Sequence, residues 1–143
     1  MSDQVSIAAI SAGGVLLGVF FSQIIALITT FLNRKYERQS LLRQKYEKMV
    51  EEYNLSMKLF STNAISNLDN FECAIFAKNA HSLSMIYFPK IYPYSAKFYN
   101  SLLNILDAYN KNDHENIEVL LNSLRTSRQD LEEAISTHSK YYT

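Results

Sequence analysis

The sequence predicts an all-α protein, with one N-terminal transmembrane helix followed by a cytosolic bundle of three or four helices. Three observations carry this. The run from Val5 to Leu32 contains no Asp, Glu, Lys or Arg, and a hydrocarbon core is crossed by about 20 apolar residues. Behind it the apolar residues recur at spacings of three and four, the period of an amphipathic helix. Glycine and proline, which interrupt helices, are scarce: all three glycines lie inside the uncharged run, and Pro89 and Pro93 stand together in the middle of the remainder.

At a rise of about 1.5 Å per residue the uncharged run is roughly 42 Å long, enough to cross a core of about 30 Å once with some tilt and too short to cross twice. A cleaved secretory signal would need a basic start and a shorter apolar stretch, whereas this chain begins Met-Ser-Asp-Gln. Orientation follows from the flanks. Before the run the charges are the terminal amine and Asp3, while Arg34, Lys35, Arg38, Arg43, Lys45 and Lys48 follow it against Glu37 and Glu47. The positive-inside bias puts the N-terminus outside and the rest in the cytoplasm, as expected of a single-pass membrane protein. The overall charge is zero, so the basic cluster reads as contact with lipid headgroups, and bulk nucleic-acid binding is not expected.

The expected organisation is a transmembrane helix with a short external N-terminus over 1–33, a basic juxtamembrane amphipathic helix over 34–62 and a cytosolic helical domain over 63–143. The juxtamembrane helix carries Leu42, Tyr46, Met49, Tyr53, Met57 and Phe60 on one face. Nothing between Leu32 and Leu42 breaks a helix, so the two segments can be continuous. The next helix carries Leu68, Phe71, Ile75, Phe76 and Leu83, and the one after the prolines Phe98, Leu102, Ile105, Leu106 and Tyr109. The last carries Ile117, Leu120, Leu121, Leu124, Leu131 and Ile135, with Asn112 and Glu115 spaced as a capping box at its start. Only Met85 to Tyr94, with β-branched and aromatic residues, suggests a short extended stretch.

Two stretches suggest interaction. Within the span Gly14, Gly18, Ser22, Ala26 and Thr30 fall at every fourth position, and small residues in register let helix backbones approach closely in lipid, so a homo-oligomer is expected. Gln23 lies beside them; its amide either bonds across that interface, lines a polar path, or bonds its own backbone. The second stretch, Cys73 to Leu106, has no Asp or Glu. It holds Lys78, His81, Lys90 and Lys97 among Tyr87, Tyr92, Tyr94 and other aromatic residues. Lysines interleaved with aromatic faces suit an anionic ring-bearing ligand; the same residues also suit a bundle corner around a Pro-bounded turn, with lysines snorkelling outward.

Catalytic and metal chemistry find no pattern. The lone Cys73 can neither close an internal disulfide nor complete a metal site, and it reads as a small buried hydrophobe. His81, His114 and His138 lack ligand spacing, and there is no phosphate loop, zinc motif or nucleophile elbow. Glu51, Glu52, Glu132 and Glu133 are expected on solvated helix faces, so neither an enzyme nor a cofactor is implied.

The layout resembles a loose group of uncharacterised bacterial membrane proteins: one span, a basic exit such as Asn33-Arg34-Lys35, a helix like Leu42 to Lys48, and a Tyr-Phe-Pro element, here Tyr87-Phe88-Pro89. Lys90 stands where that pattern has an acidic residue soon after the proline. In architecture it is also similar to the membrane-bound cyclic-oligoadenylate-binding effectors of type III CRISPR defence. That resemblance implies an oligomeric sensor of antiviral defence, whose cytosolic domain binds a cyclic oligonucleotide and signals to the span to permeabilise the membrane. The alternative expectation is an inner-membrane scaffold that recruits a protein partner.

Overall fold

A computed structural model of the chain describes residues 2–63, 72–111 and 113–142, and the side chains of 18–61, 72–111, 113 and 115–142. The architecture is all-α, with helices α1 (Ser2–Asn63), α2 (Glu72–Tyr87), α3 (Tyr92–Asn110) and α4 (His114–His138), closed by a 3₁₀ turn at Ser139–Tyr141. Among the described residues there is no strand; Met85 to Tyr94, expected to be extended, is the end of α2, a tight turn and the start of α3. Pro89 explains the stop, because it lacks an N–H and disfavours helical geometry at Phe88. Pro93 falls in the first turn of α3, where a missing N–H costs nothing.

The chain divides into two compact units, 1–40 and 41–143. The first is one helical segment, and from Gly18 onward its large side chains are exposed, among them Val19, Phe20, Phe21, Ile25, Leu27, Ile28, Phe31 and Leu32, at 43 to 71 %. Among the described residues no helix is long and apolar enough to cross a membrane. The side chains of Val5 to Leu17, which begin the expected span, lie outside them, as does Gly14.

The second unit is a four-helix bundle made of α1 from Leu41, α2, α3 and α4. Its neighbours run antiparallel, as the contacts show: Ser56 meets Cys73 and Glu52 meets Asn79 across α1 and α2, while Tyr46 meets Ile135 and Tyr53 meets Glu132 across α1 and α4. The expected α1 face is confirmed by buried Tyr46, Met49 and Tyr53, and the α3 face by Phe98, Leu102, Ile105 and Leu106. Each such side chain contributes about 1.5–3 kcal/mol. In α4, Leu124 and Leu131 are buried, and Ile117, Leu120, Leu121 and Ile135 are half-buried. The α2 face differs from the reading: it buries Cys73, Ala74, Ala77, Ala80 and Ser84, and Ile75 is exposed. Leu68 and Phe71 lie outside the described residues.

Capping of α4 also departs from expectation. Asp113 is its N-cap residue, and the Asn116 amide reaches back to the Asp113 carboxylate at 2.8 Å; Asn112 lies outside the described residues. The turn between α2 and α3 is an apolar plug: Phe88 and Ile91 are both 0 % exposed. Phe88 packs edge-on to Tyr46 and Tyr142, with centroids 5.7 and 4.7 Å away, so the two ends of the bundle unit close over one ring.

Candidate functional site

The residues expected to hold an anion sit on α2, its following turn and the first half of α3. His81 is stacked between Tyr92 and Tyr99, each centroid 5.4 Å away and the rings 26° and 16° from parallel. Its buried Nδ1 has no hydrogen-bond partner in the structure. Burial lowers the imidazole pKa below the usual 6.5, since protonation would place a charge where little water can solvate it. Lys97 donates to Asp130 at 2.6 Å. The Lys90 ammonium stands 4.4 Å from the ring centroid of Tyr141. Tyr87 is tilted against Phe88 and has the Lys45 ammonium 5.9 Å from its centroid. Lys78 is exposed on the outer side of α2.

Of these groups His81 and Tyr92 come together as a stack, and the lysines and the other tyrosines do not converge on them. Tyr94 lines a cleft of about 260 Å³ whose other walls are Asp130, Glu133, Ala134, Thr137 and His138. The stretch is free of acids along the chain, but α4 packs antiparallel to α3 and delivers two carboxylates beside it. An approaching anion would meet Asp130 and Glu133 together with one lysine already engaged. The signal for this lay in the α4 sequence, where Asp130, Glu133 and Thr137 share a face.

Of the glutamates expected in solvent, Glu52 is buried, while Glu132 is exposed as expected but tied to two neighbours. Glu52 is only 5 % exposed and accepts the Asn79 amide at 3.1 Å and the Lys48 ammonium at 3.0 Å. Glu132 accepts from Tyr53 at 2.9 Å and from Arg128 at 2.8 Å. Burial works against the Glu132 carboxylate, yet Arg128 and Tyr53 hold its pKa below the usual range. Burial, with Glu132 adding to it, raises the Tyr53 phenol. Cys73 is buried and burial raises its thiol pKa, the opposite of an activated nucleophile. Among the described residues no group of His, Cys, Asp and Glu could hold a metal ion.

In the first unit the described residues of the expected helix interface, Gly18, Ser22, Gln23, Ala26 and Thr30, are exposed. A Cβ built on Gly18 would meet nothing within 4 Å. Ser22 donates to the Gly18 carbonyl at 2.7 Å, Thr29 to Ile25 and Thr30 to Ala26 at 2.8 Å each. Gln23 lines a shallow groove with Ala26, Leu27 and Thr30. At about 100° per residue, the large side chains cover roughly two-thirds of the circumference, and Gly18, Ser22, Ala26 and Thr29 take the remaining third. No protein-family model, curated protein or solved structure matches the chain.

The stacked histidine gives a pH prediction. Its folded pKa is depressed, so the unfolded chain binds the proton more readily, and stability is full above about pH 6.5 and falls as the pH drops below it. Thermal unfolding of the parent should shift to lower temperature between pH 6.5 and 5, above the range where Glu132 titrates. His81→Phe should remove that component; an unchanged pH profile in the variant would show that His81 does not report on unfolding.

Proposed function

We propose that the chain is a membrane-anchored, self-associating scaffold of a bacterial inner membrane, with its N-terminus outside and its helical bundle in the cytoplasm. The observation that carries this reading is the surface of the first unit. A helix that exposes large apolar side chains around most of its circumference needs an apolar surrounding, and the three described hydroxyls within its uncharged run, on Ser22, Thr29 and Thr30, bond internally, as groups in lipid must. The uncharged run from Val5 is long enough to cross once its first part is counted. The bundle has its own core, so the apolar run is not needed to complete it. A second copy is the occupant that the small-residue third suits, because Gly18 is open and the Ser22 hydroxyl is turned onto its own helix.

A cyclic oligonucleotide sensor has less support. Lys97 is engaged by Asp130, and the adjoining cleft is acidic. We assign no reaction and no cofactor to the chain; the bundle surface is left for a protein partner. Saturable binding of a cyclic oligonucleotide to the full chain would restore the sensor.

Cysteine scanning in a Cys73→Ala background tests the scaffold. With the chain in sealed membranes, a thiol at Ser2→Cys should react with an impermeant reagent from outside and one at Gln129→Cys only after lysis. Ser22→Cys should crosslink to a dimer under oxidation and Phe21→Cys should not. Labelling of both ends from the same side would remove the span, and equal crosslinking at 21 and 22 would remove the specific interface.

A further inference from the structure

The geometry points to a binding site for one anionic phospholipid at the end of the apolar run, with the phosphate held by Arg34, Lys35 and Arg38 and an acyl chain lying beside Leu27, Ile28 and Phe31. This rests on the membrane-anchor reading above. Its starting point is a division within the basic cluster that the sequence presents as one block. Beyond Ser40 the basic residues of the cluster have partners: Arg43 pairs with Glu47 at 3.1 Å, Lys48 with Glu51 and Glu52 at 3.4 and 3.0 Å, and Lys45 lies over the Tyr87 ring. Arg34, Lys35 and Arg38 are exposed, and among the described residues none of them has a carboxylate within ion-pair distance. Glu37, the one acid between Asn33 and Ser40, makes no ion pair among the described residues either.

Helical geometry gathers the three cations. At about 100° per residue Arg34, Arg38 and Lys35 fall within an arc of roughly 100°, with Glu37 outside it. Directly before them a groove of about 550 Å³ is lined by Leu27, Ile28, Thr30, Phe31, Leu32 and Arg34. Its walls are apolar and its one charged group is the guanidinium at the end. The only hydroxyl among them, on Thr30, is bonded to the Ala26 carbonyl and asks nothing of a ligand. Apolar walls below a guanidinium match an acyl chain below a phosphate, and the two further cations favour a headgroup of net negative charge over a zwitterionic one. Gly18, Ser22 and Ala26 face another part of the circumference, so helix pairing there leaves the groove open.

The test uses the full chain in nanodiscs of phosphatidylcholine with a minority of phosphatidylglycerol, and native mass spectrometry of the lipid retained on gentle release. The parent should retain phosphatidylglycerol in preference. Arg34→Gln/Lys35→Gln/Arg38→Gln should lower that preference about tenfold or more, while Arg43→Gln/Lys45→Gln/Lys48→Gln should leave it unchanged. Circular dichroism of both variants checks that the bundle is intact. A preference that survives the first set, or falls equally in both, would overturn the site and leave only bulk charge. A parent that enters neither kind of bilayer would instead remove the anchor reading on which the site rests.

Discussion

Phe88→Ala should cost the bundle about 3–5 kcal/mol, the range for deleting a fully buried aromatic ring. The ring is 0 % exposed and lies against Tyr46 and Tyr142, so its loss opens a cavity where α1, the α2–α3 turn and the last residues meet. Those neighbours cannot collapse inward freely, since the Tyr46 hydroxyl is tied to the Ile135 carbonyl at 2.8 Å. Phe88→Leu should cost less than half as much, and Tyr87→Ala, at a half-buried position, less again. Chemical denaturation of the three variants measures the order. Equal effects at 87 and 88 would mean that the Tyr-Phe-Pro element is not the plug described.

Placing arginine at both Ile25 and Ile28 should prevent stable membrane insertion. An arginine costs about 2.5–3.5 kcal/mol at the middle of a span and less towards its end, where these two positions lie, so the pair costs less than the roughly 5–7 kcal/mol of two central arginines. Both positions are exposed, at 63 and 55 %, and both belong to the unit ending at Ser40, so the bundle core is untouched. The parent should stay with the membrane through alkaline extraction and the variant should be released. Ile25→Leu/Ile28→Leu should behave as the parent. Release of the parent itself would refute the anchor.

The fold was legible where one period dominated. In α1 and α3 the positions spaced by three and four are apolar and large, and these are the positions the bundle buries. The α2 face was misread because its buried side is made of Cys73, Ala74, Ala77, Ala80 and Ser84, residues too small to stand out in a hydrophobic pattern, while Ile75 draws the eye and faces solvent. Glu52 escaped for a related reason: a carboxylate on a helix is read as exposed unless its partner is known, and Asn79 comes from another element. The expected anion site depended on charge counted along the chain. Coulomb interactions act through space, and Asp130, 33 positions from Lys97 in sequence, lies 2.6 Å from it in the fold.

The small side of α2 has a dynamic consequence. Alanine, serine and cysteine side chains bring backbones close but remove little apolar surface from water, so the first half of α2, before the His81 stack and the half-buried Leu83 and Tyr87, is held less by burial than by two polar clamps, Ser56 to the Cys73 carbonyl at 2.8 Å and Asn79 to Glu52 at 3.1 Å. Hydrogen bonds of this kind are worth about 1 kcal/mol each, against the several large side chains that join α1, α3 and α4. The native state therefore has a hinge of low cost built into it. In amide exchange this half of α2 should open as a unit before the other three helices, baring buried thiol and alanine surface while the rest of the bundle stays folded.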